Sequence, residues 1–247
     1  MTSIPNKGGL IRDRWLVGAT LAAVIALCWA WIAPMALDMY GPMSGCSASM
    51  MTRTWDFTHQ ALLFAMWAVM MIGMMLPSAA PAVFLYASTD RRDAESERVP
   101  ARAFAFAAGY VVVWILFSLI ATALQLGLTK ASLLSPMMEL RSRWLGAGLV
   151  LIAGAYQFTP WKRKCLECCR CPVERTGGFQ AGLRNGITCL GCCWALMLLL
   201  FVCGVMNLRW LAALTIFVVL EKLIRGRWLW TRLSGVLLLV AGVWMMA

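Results

Sequence analysis

The sequence predicts an all-α protein, a polytopic bundle of about seven transmembrane helices with its N-terminus in the cytoplasm. Three observations predict it. Of the 247 residues, 62% are hydrophobic and 13% are charged, against about 45–50% and about 25% in ordinary soluble domains. The apolar residues are gathered into long runs free of charge, each near the ~20 residues that a bilayer core demands. The positive charges fall in alternate connections, as they do where cytoplasmic loops retain Lys and Arg.

The first run, residues 15–37, follows Lys7, Arg12 and Arg14 directly. It is longer than a signal-peptide core and lacks a small-residue cleavage site before Trp29, Trp31 and Pro34, so it is expected to stay as a membrane helix. The second, 60–88, carries Pro77 and Pro81, which remove backbone donors and should bend it. The third covers 103–128 and the fourth 144–160. The last three cover 187–206, 208–224 and 229–247. Between the fifth and sixth only Asn207–Trp210 is left for a turn; merging those runs would give six helices. With seven spans and the N-terminus inside, 17 of the 22 Lys and Arg residues fall on the inner side. The connections are short, so 1–247 is read as one membrane domain with a Cys-rich cytoplasmic loop at 161–188. Trp15, Trp144, Trp210, Trp230 and Trp244 lie near span ends, where amphipathic rings settle at the lipid interface. Gly146, Gly148, Gly154, Gly235 and Gly242 are expected to let helices pack closely.

The net charge of +11 is accounted for by topology and by attraction to anionic lipid. There is no basic stripe interleaved with exposed aromatics, so nucleic acid is not expected as a partner. The sequence has no phosphate-binding loop, no aspartyl-phosphate pump motif, no H-E-x-x-H and no G-x-S-x-G. Nothing in it supplies ATP-driven pumping, and it is not read as an enzyme. Its single histidine, His59, is too little for the His-rich ligation of haem–copper centres.

The chemistry lies in sulfur. There are 10 Cys and 17 Met, and seven of the cysteines fall between 165 and 193. Cys165, Cys168, Cys169 and Cys171 follow the fourth span; Cys189, Cys192 and Cys193 open the fifth. Cys165–Cys168, Cys168–Cys171 and Cys189–Cys192 are C-x-x-C pairs, and two such elements face to face match a thiolate metal site. A disulfide framework is not expected in a reducing cytosol. Lys162, Arg163, Lys164 and Arg170 are expected to lower the neighbouring thiol pKa values. Burial of an apolar thiol accounts for Cys28 and Cys203. In the second span His59, Met66, Met70 and Met74 fall on one helical stripe, with Met71 and Met75 beside it. Thioethers select Cu(I), although a Met stripe also serves as plain packing. Cys189, Cys193 and Met197 form a corresponding stripe on the fifth span. If the two faces meet, soft ligands run from His59 to the thiols. Glu221 is expected to pair with Lys222 or Arg232.

The segments WAVMMIGMMLPSAAP (67–81), YQFTPWKRKCLECCRCP (156–172), CLGCCWALM (189–197), GVMNLRW (204–210) and EKL (221–223) resemble a bacterial family. It is described as predicted metal-binding integral membrane proteins of unknown function, some of them labelled copper chaperones. The resemblance covers most of 60–247. It implies a metal-handling protein of the bacterial inner membrane and a family pattern C-L-x-x-C-R-x-P that falls on Cys165, Cys169, Arg170 and Pro172. The ligand set implied in this way is Cys165, Cys169, Cys189, Cys192 and Cys193, with Cys168 and Cys171 as extras. The first reading is therefore Cu(I) transport or delivery, with the bilayer, the ion and a receiving protein as partners. The alternatives are a thiol–disulfide carrier, a structural zinc site, or an iron–sulfur cluster on Cys165, Cys168, Cys171 and Cys192.

Overall fold

A computed structural model describes residues 7–38, 57–89, 99–135, 138–169, 177–224 and 228–246. The helices are α1 (Lys7–Asp38), α2 (Phe57–Thr89), α3 (Val99–Lys130), α4 (Arg143–Tyr156), α5 (Pro160–Cys168), α6 (Gly178–Leu198, carried on by Leu200–Cys203), α7 (Leu208–Leu223) and α8 (Trp228–Met246). Among the described residues there is no strand, only an isolated bridge between Leu134 and Leu140. The all-α bundle expected from the sequence is the fold observed.

Among the described residues, five helices are long and apolar enough to cross a membrane: α1, α2, α3, α6 and α8. The expected fourth and sixth spans are present as α4 and α7, of 14 and 16 residues. At ~1.5 Å per residue they fall short of a ~30 Å hydrocarbon core, so seven counts apolar helices and five counts full-length ones. α1 and α8 lie outermost, with Trp15, Leu27, Leu237, Val240 and Trp244 all exposed. A large apolar surface of this kind fits lipid and not water.

Local sequence explains each break. Ser142 caps α4 by accepting from the Leu145 amide. Thr159 caps α5 and Pro160 takes its first position, where a missing N–H costs nothing. Gly204 turns the chain at φ 89° and Asn207 caps α7, so the fifth and sixth expected spans are separate helices. In α2, Pro77 has no N–H for the Gly73 carbonyl four residues back. The Trp29 indole of α1 donates to that carbonyl instead, at 3.2 Å.

The main departure is α6. It was expected to begin near 187 and begins at Gly178. Gly178, Gly182 and Gly186 recur every four residues along the face that meets α3. A Cβ at Gly182 would run into the Phe106 carbonyl, and one at Gly109 of α3 would run into the Phe179 carbonyl. Glycine facing backbone from both sides lets the two helices touch. The expected loop at 161–188 is thus largely helical, its two ends taken by α5 and the first turns of α6. The core is α2 against α3, with Met66, Trp67, Met70, Phe106, Tyr110 and Trp114 at 1% exposure or less. The Trp67 indole donates to Gln125 at 2.5 Å, as an apolar interior requires of its polar groups.

Candidate metal centre

On an α-helix, residues at i, i+3 and i+4 share a face. Cys189, Cys192 and Cys193 have that spacing on α6, and their thiol sulfurs all lie within 4.8 Å of one another. All three are buried, at 0–1% exposure. Cys192 and Cys193 stand 3.2 Å apart, and the Cys192 thiol donates to the Cys189 carbonyl at 3.1 Å. Three sulfurs around one ion at a ~2.3 Å bond would sit about 4 Å apart, so these thiols could close on an ion with small side-chain rotations.

The α3–α6 contact places the next partner. Tyr110 follows Gly109, and its hydroxyl lies 3.0 Å from the Cys189 sulfur and donates to the Met75 carbonyl at 3.1 Å. From the last turn of α7, the Lys222 ammonium donates to Cys189 at 2.8 Å and to the Ser78 hydroxyl at 2.9 Å. Ser78 in turn donates to the Met75 carbonyl at 2.7 Å. A cation beside a thiol stabilises thiolate, the ligating form. Lys222, Tyr110 and Ser78 thus tie the thiols of α6 to the Met75–Ser78 turn of α2.

Glu221 was expected to pair with Lys222 or Arg232, but adjacent residues such as Glu221 and Lys222 point about 100° apart on a helix. Glu221 turns the other way, to Lys162 of α5 at 3.0 Å, with both side chains at 2% exposure or less. Thr231 of α8 donates to the same carboxylate at 3.1 Å, and Lys162 also donates to Gln157. This buried pair fixes α5 against the bundle. It also removes Lys162 from the basic residues expected to lower the thiol pKa values. Arg163 is occupied by Glu167 at 2.9 Å. Partial burial pushes the Cys165 thiol up from its ordinary value, and Cys192 and Cys168 push the same way.

α5 brings the first cysteine group to the second. Cys169 packs against the core that holds Cys192, near enough for the two thiols to interact. The Cys165 sulfur lies over Gly191, 2.9 Å from where a Cβ would stand. The Tyr156 hydroxyl donates to the Gly191 carbonyl, and its ring packs edge-on to Trp194. Cys168 is exposed, while Cys165 and Cys169 are half-buried. Cys171 lies outside the described residues. Cys28 stands on α1, against Gly73, and Cys203 ends α6, well beyond Cys193.

Met66, Met70, Met71, Met74 and Met75 are all fully buried in α2, and Met197 is buried one turn beyond Cys193. His59 is half-buried in the first turn of α2. The two long helices touch further along, where Trp67 meets Phe201 with ring centroids 5.3 Å apart. Near the thiols, α2 reaches α6 through Tyr110, Ser78 and Lys222.

A family model described as copper chaperone matches residues 64–245. The chain belongs to the copper chaperone family. No curated protein and no solved structure matches it. The matched stretch holds both cysteine groups, the buried methionines, Tyr110 and Lys222, whereas His59 and α1 precede it. Family membership and the buried thiol group both fit metal binding.

Proposed function

We propose that this protein binds Cu(I) through Cys189, Cys192 and Cys193 in a membrane and passes it to or from a carrier. The observation that carries the reading is three buried thiols within 4.8 Å of one another, one of them held by an ammonium at 2.8 Å, in a chain of a copper chaperone family. Thiolates favour soft ions such as Cu(I). Three thiolates around Cu(I) carry a net charge of −2, and burial of that charge demands compensation. Lys222 offsets part of it, and the Tyr110 hydroxyl lies 3.0 Å from the same sulfur. The N-terminus is cytoplasmic, so the thiols face the cytoplasmic side of a bacterial inner membrane.

The buried methionines supply an approach from the other side. Met66, Met70 and Met74 rise ~6 Å per step, and the stripe ends beside Ser78, which Lys222 joins to Cys189. Neutral thioethers hold Cu(I) weakly enough to let it move on.

One observation favours a second reading. Cys169 packs beside the thiol group, and a fourth thiolate would complete a tetrahedral zinc site. Elemental analysis of anaerobically purified protein separates the two. The expected result is about one copper per chain, lost in Cys192→Ser/Cys193→Ser. Zinc in its place would establish the structural site, and visible absorbance with iron would establish a cluster. Metal-free protein with thiols that cycle on titration would leave the thiol–disulfide carrier.

A further inference from the structure

Cys189, Cys192 and Cys193 are closed off from solvent, so a carrier cannot touch an ion held there. Cu(I) bound to thiolates moves by exchange, one sulfur bond forming as another breaks, and thiol exchange depends on access. Some thiol must therefore face both the carrier and the buried group. α5 and its C-cap present a graded series: Cys168 exposed, and Cys165 and Cys169 half-buried and packed against the core that holds Cys192. On that helix Cys165 has Cys168 three residues on and Cys169 four residues on, so it neighbours both. Its sulfur lies over Gly191, in space that a side chain at 191 would occupy. The Lys162–Glu221 pair, buried at 3.0 Å, anchors this helix to α7.

We propose that Cys168 and Cys165 form an exchange port, through which Cu(I) passes between a thiol-bearing carrier and the buried thiols. This rests on the Cu(I) reading above. In loading, a bond from copper to the Cys168 sulfur forms and the bond to the carrier's sulfur breaks. The proton displaced from Cys168 goes to the departing thiolate. Copper remains Cu(I), and no oxidant or reductant takes part. Cys165 then takes the ion from Cys168 by the same exchange, and Cys169 and Cys192 take it from Cys165. The carrier is defined by its chemistry: a small thiol, or a protein presenting one.

The test uses the full chain in lipid nanodiscs under anaerobic conditions. Cu(I)–glutathione and Cu(I) bound to a synthetic C-x-x-C peptide serve as two donors. Loading rate and equilibrium affinity are measured separately for the wild type, Cys168→Ser and Gly191→Ala. Cys168→Ser is expected to load at least about tenfold more slowly, with its copper content and affinity unchanged. Gly191→Ala, which displaces Cys165, is expected to slow loading in the same way. Slowing with both donors assigns the port to any thiol; slowing with the peptide alone assigns it to a protein carrier. A Cys168→Ser protein that loads at the wild-type rate overturns the port and leaves the Cu(I) site standing. So does one whose affinity falls in step with its rate, since Cys168 would then be a resting ligand. A wild type that takes no copper overturns both.

Discussion

Lys222→Gln keeps a hydrogen-bond donor on α7 and removes its charge from beside the thiols. The ammonium lies 2.8 Å from the Cys189 sulfur. At an effective dielectric constant of ~20, unit charges that far apart attract by about 6 kcal/mol. That figure is a ceiling, because Lys222 is half-buried and solvent screens part of it. Hydrogen bonds to charged groups contribute about 1.5–3 kcal/mol net, which is the loss expected once screening has reduced that ceiling. Each 1.4 kcal/mol is a factor of ten in an equilibrium constant. Cu(I) affinity is therefore expected to fall by about ten- to a hundredfold. The assay is competition against a coloured Cu(I) chelator in anaerobic detergent, on protein whose helix content by circular dichroism matches the wild type. Lys222→Arg, which keeps the charge, is expected to stay closer to the wild type than Lys222→Gln. Wild-type affinity in Lys222→Gln would refute the charge argument, and so would equal losses in Gln and Arg.

Other expectations follow from packing. Gly182→Leu drives a side chain into the Phe106 backbone, and should lower stability by at least the ~1–3 kcal/mol typical of overpacking. Gly148→Ala meets nothing within 4 Å and should leave the melting temperature in detergent unchanged; equal effects at the two sites would disprove the close α3–α6 crossing. Lys162→Met strands the Glu221 carboxylate of a buried pair and should cost about 3–5 kcal/mol. Adding Glu221→Gln should restore most of that in a thermal melt, and a double variant as unstable as the sum of both would argue against the pair. Trp29→Phe removes the donor to Gly73 and should cost ~1 kcal/mol. In a Pro77→Ala background, where the helix supplies its own donor, that penalty should shrink; an unchanged penalty would show that Trp29 acts through packing alone. Cys28→Ala and Cys203→Ser stand outside the thiol group and should leave copper content at the wild-type value by elemental analysis.

Much of this was legible in the chain. Runs of apolar residues between basic connections located every long helix, and Pro77 marked where α2 would leave a carbonyl to another donor. The Cys189–Cys192–Cys193 spacing placed three thiols on one helical face without any structure. Two local signals were present in the sequence and misread. Gly178, Gly182 and Gly186 look like loop glycines by composition, yet their spacing of four is that of a helix packing closely on another. Thr159–Pro160 is a cap followed by a favoured first helical residue, and it announces α5 within what was read as a loop. Other features had no signal. Glu221 and Lys222 are adjacent, and nothing in one sequence tells which of them faces α5 and which faces α6. Tyr110 reads as one more aromatic in an apolar helix, and only the crossing at Gly109 turns it toward Cys189.

The central claim is that one Cu(I) sits among the three α6 thiols. X-ray absorption at the copper edge, on protein loaded anaerobically with one Cu(I) per chain, tests it most directly. The account predicts a Cu(I) edge and a shell of three sulfur neighbours, lost in Cys192→Ser/Cys193→Ser. A shell containing nitrogen or oxygen, or an unchanged sulfur shell in the double variant, would contradict it.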